Sequence, residues 1–247
     1  MAKKEQSELP RISVDDAAQD LFGLNIRGLV SIWALWAHPR RYFAAAQEPD
    51  WQKYFTPSIR LWLSLVALMS FLQFLWIGSD TPLVQAYVQG FKDGGAVPVE
   101  GMTHQDMGEQ AALWIYGITP IFQAIGLVFL ALIYPFWGQK TSFALRQRYV
   151  FATVVPSATL MLFILPSMGQ MSIELVAKFG FVIAVIAFLT DFTTSFRGAF
   201  VGKSTGGKLW RSALLAGVIL LFNAIAAIFV QIAGIVLVSS RYASLSG

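Results

Sequence analysis

The chain reads as long apolar blocks separated by short polar ones. Five of these blocks, 61–78, 111–137, 149–168, 173–190 and 209–238, are long and apolar enough to cross a bilayer as helices. Pro120 and Pro135 fall within or at the end of the second block and predict a kink or a stop there. Pro156 lies about a third of the way into the third. A shorter block, 21–37, contains Asn25 and Arg27 and is ended by Pro39. Ser13 and the acidic Asp15, Asp16 and Asp20 predict a helix start ahead of it. This helix is expected to lie in the membrane interface, with a re-entrant or spanning path as the alternative. Between the first two spans, 79–110 is rich in glycine and acidic residues, with a short helix predicted after Pro82.

Composition agrees with that pattern. The 247 residues are 56% hydrophobic and 13% charged, against about 25% charged in soluble domains. Mean hydropathy is +0.60. The expected fold class is therefore all-α: a polytopic helical membrane bundle of about five transmembrane helices, with an N-terminal interfacial amphipathic helix. It divides into an N-terminal region, 1–57, and a membrane domain, 58–247. No apolar stretch follows Lys3 and Lys4, so the first membrane helix is expected to direct insertion. The absence of cysteine excludes disulfides, thiolate catalysis and thiolate metal sites.

A net charge of +4 would suit a nucleic-acid partner, but its distribution points to topology instead, and no nucleic-acid partner is expected. With five spans, fifteen of the 18 basic residues fall on one side; Lys92, Lys178 and Arg241 fall on the other. The positive-inside rule then places the N-terminus in the cytoplasm and the C-terminus outside, in a bacterial inner membrane. Without the span at 173–190 the last basic loop would move outside, so the charges support that span.

Three groups of residues carry candidate chemistry. The segment 39–57 interleaves basic and aromatic side chains, and Arg40, Arg41, Tyr42, Trp51, Lys53 and Tyr54 are its lipid- or partner-contacting candidates. Inside or beside the spans, polar groups are costly, which singles out Gln73, Gln123, Glu174, Lys178, Asn223 and Gln231, with Pro156 as the helix break. Asp191 ionises too, but it falls just past the end of the fourth block. Pro156 frees the Ala152 carbonyl, and Thr153, Ser157, Gln123 and Asn223 are the candidate donors to it. His104, Asp106 and Glu109 are too poorly spaced for a metal site, and no metal or cofactor is expected. Gly202 to Lys208 resembles a phosphate loop, but Leu209 stands where the magnesium-binding hydroxyl belongs, and the segment lies between two membrane helices. No arrangement suited to nucleophilic or acid–base catalysis appears, so no enzymatic activity is expected. Ala213, Ala216, Gly217, Ala224, Ala227 and Gly234 line the last span with small residues suited to close helix contact.

The order of these segments, with Gly138-Gln-Lys-Thr-Ser-Phe143 ahead of Tyr149, Ala152 and Pro156, resembles the bacterial relatives of the Yip1 family. The stretch from Pro39-Arg40 to Tyr54-Phe55-Thr56-Pro57 also resembles an uncharacterised bacterial membrane family with a Y-x-x-P lead into its first span. The acidic-aromatic first-span signature of the eukaryotic Yip1 proteins is not found here. The resemblance implies a five-helix, non-enzymatic protein acting through helix contacts and partners. The expected function is membrane organisation, assembly or scaffolding, with membrane lipids and either a protein partner or a second copy as its contacts. The alternative is a small-solute, ion or lipid transporter or channel.

Overall fold

The computed structural model describes residues 26–76, 80–137, 141–168, 171–200 and 202–244. The helix start predicted at Ser13 and positions 138–140 of the Yip1-like motif lie outside them. The fold is all-α. Its elements are α1 (Ile26–Ala37), α2 (Pro39–Ala45), a single 3-10 turn at Trp51–Lys53, α3 (Ser58–Trp76), α4 (Pro82–Asp93), α5 (His104–Leu132), α6 (Tyr134–Trp137), α7 (Phe143–Met168), α8 (Ile173–Gly198) and α9 (Thr205–Tyr242). The extended backbone among the described residues is a two-residue antiparallel pairing, β1 (Val97–Pro98) with β2 (Ala243–Ser244). It ties the end of α9 to the loop after α4.

Five helices, α3, α5, α7, α8 and α9, are long and apolar enough to cross a membrane. Each runs past the apolar block that predicts it, because polar side chains at the ends serve as caps and belong to the helix. Thr103 starts α5 eight residues ahead of the expected start: its hydroxyl accepts from the Asp106 amide at 3.1 Å, and Asp106 accepts from the Thr103 amide at 2.7 Å. At the other end, Pro135 lacks an amide hydrogen, and the chain breaks at Ile133 before the single turn of α6. The Trp137 indole then donates to the Leu130 carbonyl at 3.1 Å, satisfying one of the last carbonyls of α5. Pro120, by contrast, leaves α5 continuous. The fourth span ends at Gly198, not near Thr190, which places Asp191 inside the helix.

The most extensive helix contacts are α3 with α7, α5 with α9, α4 with α5, and α8 with α9. Glycines set two close approaches to α5. A Cβ at Gly108 would fall 2.6 Å from Val88 on α4, and one at Gly234 of α9 would fall 2.5 Å from Ile115. The main hydrophobic core includes Leu35, Tyr42, Phe43, Trp51 and Phe55 together with Leu61, Leu65, Val150, Phe151 and Val155. The segment 26–57 therefore shares one core with the spans.

Candidate membrane-surface collar

The segment 26–57 folds back onto the bundle at the end where α7 begins and α8 finishes. Pro39 sits in the first turn of α2, where a missing amide hydrogen costs nothing. The hairpin is held by polar contacts to the backbone. Ser31 donates to the Arg27 carbonyl at 2.7 Å and accepts from the Thr56 amide at 2.8 Å. The Tyr42 hydroxyl donates to the Thr56 carbonyl at 2.7 Å. Burial pushes the Tyr42 phenol well above its ordinary range, so it stays a neutral donor.

Two arginines and a glutamine clamp this hairpin to the spans. The Arg148 guanidinium lies 4.8 Å from the centre of the Trp51 ring and donates to the Ala46 carbonyl at 2.7 Å. Arg197 donates to the Trp36 and Ala37 carbonyls at 3.3 and 2.6 Å, satisfying acceptors that the end of α1 leaves open. Gln47 donates to the Tyr149 hydroxyl at 2.7 Å. Phe43 packs on Tyr149, with ring centres 5.1 Å apart, and fills the space where Gly198 has no side chain.

This geometry divides the predicted collar. Tyr42 and Trp51 are buried in the core, a correction to their expected place at the surface, because both are amphipathic rings whose polar or cationic partners lie inside the fold. Arg40, Arg41, Lys53 and Tyr54 remain exposed, with Lys53 paired to Asp50 at 2.6 Å. Beside them, α1 buries Gly28, Ser31, Ala34 and Leu35 and turns Ile26, Leu29, Val30, Trp33 and Trp36 outward. Trp33 is 68% exposed. The outward side of α1 is therefore apolar.

The polar candidates of the spans do not converge. Glu174 and Lys178 pair with each other at 2.7 Å on an exposed face of α8. Gln73 and Gln123 are half-buried, Asn223 and Gln231 are exposed, and none of the four makes a hydrogen bond among the described residues. Pro156 lies buried inside an unbroken α7. The expected donors to the freed Ala152 carbonyl are otherwise engaged: Thr153 donates to Tyr149 at 2.9 Å and Ser157 to Val154 at 3.0 Å. Near the other end, a His104 ring nitrogen lies 2.8 Å from the Ala96 carbonyl, Asp106 caps α5, and Glu109 accepts from Gln105. No cluster that could hold a metal occurs among the described residues. The phosphate-loop-like turn follows a helix, α8, and leads straight into α9.

Sequence reasoning passed over Arg148, Arg197, Gln47 and Asp191. The phenylalanines 188, 192 and 196 repeat at four-residue intervals through Asp191, a signal that α8 continues past Thr190. Comparison with protein-family models, curated proteins and solved structures returned no match.

Proposed function

We propose that this chain is a non-enzymatic membrane-organising or assembly protein whose N-terminal hairpin lies on the cytoplasmic surface of a bacterial inner membrane. The observation that carries the reading is α1. Its outward face is apolar, yet three hydrogen-bonding side chains hold α1 and the chain after it to the bundle, so that face has lipid as its natural cover. Arg40, Arg41, Lys53 and Arg60 are exposed nearby in the chain and suit anionic headgroups. The sorting of basic residues supports the cytoplasmic orientation. Helix contacts are the second part of the proposal. Asn223, Ala227 and Gln231 follow one another at four-residue intervals on the exposed side of α9. Amides facing lipid favour a second membrane helix as partner, and a small residue between them allows close approach. The five-span order shared with the bacterial Yip1 relatives supports the same reading.

The test uses the cysteine-free chain with Trp33→Cys carrying an environment-sensitive dye, reconstituted in nanodiscs with and without anionic lipid. The expected result is quenching by shallow lipid-attached quenchers and protection from aqueous iodide. Iodide quenching equal to that of free dye would sink the collar. For the function itself, gentle purification should yield a stoichiometric partner or a stable dimer; solute flux in reconstituted vesicles without either would favour transport.

A further inference from the structure

Asp191 is 3% exposed, and one of its carboxylate oxygens, Oδ1, has no hydrogen-bond partner. It sits in α8 facing α7, where Ser157 is its polar neighbour. The two helices run antiparallel through a tight turn, so the register that sets Ser157 beside Asp191 sets Thr153 level with Ser195, one turn nearer the collar. One turn further, Phe43 bridges Tyr149 and Gly198, as this register requires. The hydroxyls of Thr153, Ser157 and Ser195 all give their hydrogens to carbonyls of their own helices. Their lone pairs remain to accept. Pro156 adds a carbonyl, that of Ala152, without its helical donor. The surroundings of the carboxylate are thus acceptor oxygens.

Such a site lacks positive charge. Of the elements packed on α8, α7 carries Arg146, Arg148 and Tyr149, which are two or more turns from Ser157. α9 carries Lys208 and Arg211 in its first two turns and Arg241 and Tyr242 in its last. α2 carries Arg40, Arg41 and Tyr42, and α4 carries Tyr87, Lys92 and Asp93. On α8 itself Arg197 is bonded to α1, and Glu174 and Lys178 pair at the far end. None of these acts on the Asp191 carboxyl; Ser157 is the polar side chain that does. A buried carboxylate without a compensating charge costs several kcal/mol or more, on the order of the desolvation penalty of an ion.

We propose that Asp191, with Ser157 as its second oxygen ligand, is the binding site of one exchangeable monovalent cation, a sodium ion or a proton. The inference stands apart from the collar: it needs only the α7–α8 contact.

The test is thermal unfolding of the purified full chain in detergent, with sodium varied against choline at constant ionic strength, beside infrared spectra across pH. In the sodium arm, the unfolding midpoint rises with each tenfold step in sodium. Asp191→Asn abolishes that dependence, and Ser157→Ala weakens sodium affinity several-fold. In the proton arm, sodium has no effect, and a carboxylic C=O band absent from Asp191→Asn disappears as pH rises. Either arm supports the site. The proposal is overturned if the midpoint ignores sodium and either no such band exists or it persists unchanged at every pH where the chain stays folded. Should Asp191→Asn fail to fold, the wild-type sodium titration and Ser157→Ala still decide, and the band is assigned by aspartate isotope labelling.

Discussion

Helices α7 and α8 have the same length, 26 residues, and stand side by side, yet they live in different solvents. Within their membrane-spanning windows α7 is 56% buried in protein and α8 only 12%. Hydropathy runs the other way: α7 is the least apolar of the five spans, and α8 is clearly more so. The reason is that protein can answer a polar group and lipid cannot. Thr153, Ser157 and Pro156 are tolerable on α7 because α3, α8 and the collar surround it. Through its middle, α8 instead presents Phe181, Val182, Val185, Ile186 and Leu189 outward. Only near its basic end, where α2 and α7 cover it, does α8 carry Asp191, Thr194 and Ser195. The most hydrophobic segment of a membrane protein is thus a poor guide to its centre.

The sharpest break of this comparison is one change made on both helices. Phe151→Ala on α7 removes a buried ring packed 5.3 Å from Trp62 and should cost about 3–5 kcal/mol. Phe181→Ala on α8 removes an exposed ring and should stay within about 0.5 kcal/mol. Denaturant unfolding in mixed micelles, followed by circular dichroism, measures both. Equal losses would mean that α8 also has a protein partner.

Glycine substitutions should separate the two ends of α8 by less. At Gly198 a new Cβ would meet the Phe43 ring at 2.3 Å, and Gly198→Ala should destabilise by about 1–3 kcal/mol. Gly180 has nothing within 4 Å, so Gly180→Ala should stabilise by about 1 kcal/mol through helix propensity. The same unfolding assay reads both signs. A stabilising Gly198→Ala would show that Phe43 does not seat there.

Arg197→Gln tests how the collar depends on the buried end of α8. Loss of its bonds to the Trp36 and Ala37 carbonyls should cost about 1 kcal/mol and raise proteolytic cleavage between α1 and α2. Unchanged cleavage would leave Tyr42 and Trp51 as the whole anchor. The smallest effect belongs to Lys178→Ala, which removes an exposed ion pair and should shift stability by less than about 1 kcal/mol. A larger shift would reveal that this face is covered.

The sequence by itself determined the class of the molecule. Apolar blocks of spanning length, sparse charge and prolines at block ends dictate five membrane helices, because a backbone in lipid must bond to itself. It also placed the short helix after Pro82 and the fourth span, the latter through the charges on either side of it. Helix ends were less legible, since caps such as Thr103 with Asp106 are polar and fall outside an apolar window. Tertiary structure alone decided which polar and aromatic residues are inside. Tyr42 and Trp51 look like surface rings until the Thr56 carbonyl and the Arg148 guanidinium, 14 and 97 positions along the chain, are brought to them. Asp191 looks like a loop residue until α8 runs on to Gly198 and α7 covers it. Burial of a polar group is set by its neighbours in space, and in this chain those neighbours come from helices far apart in sequence.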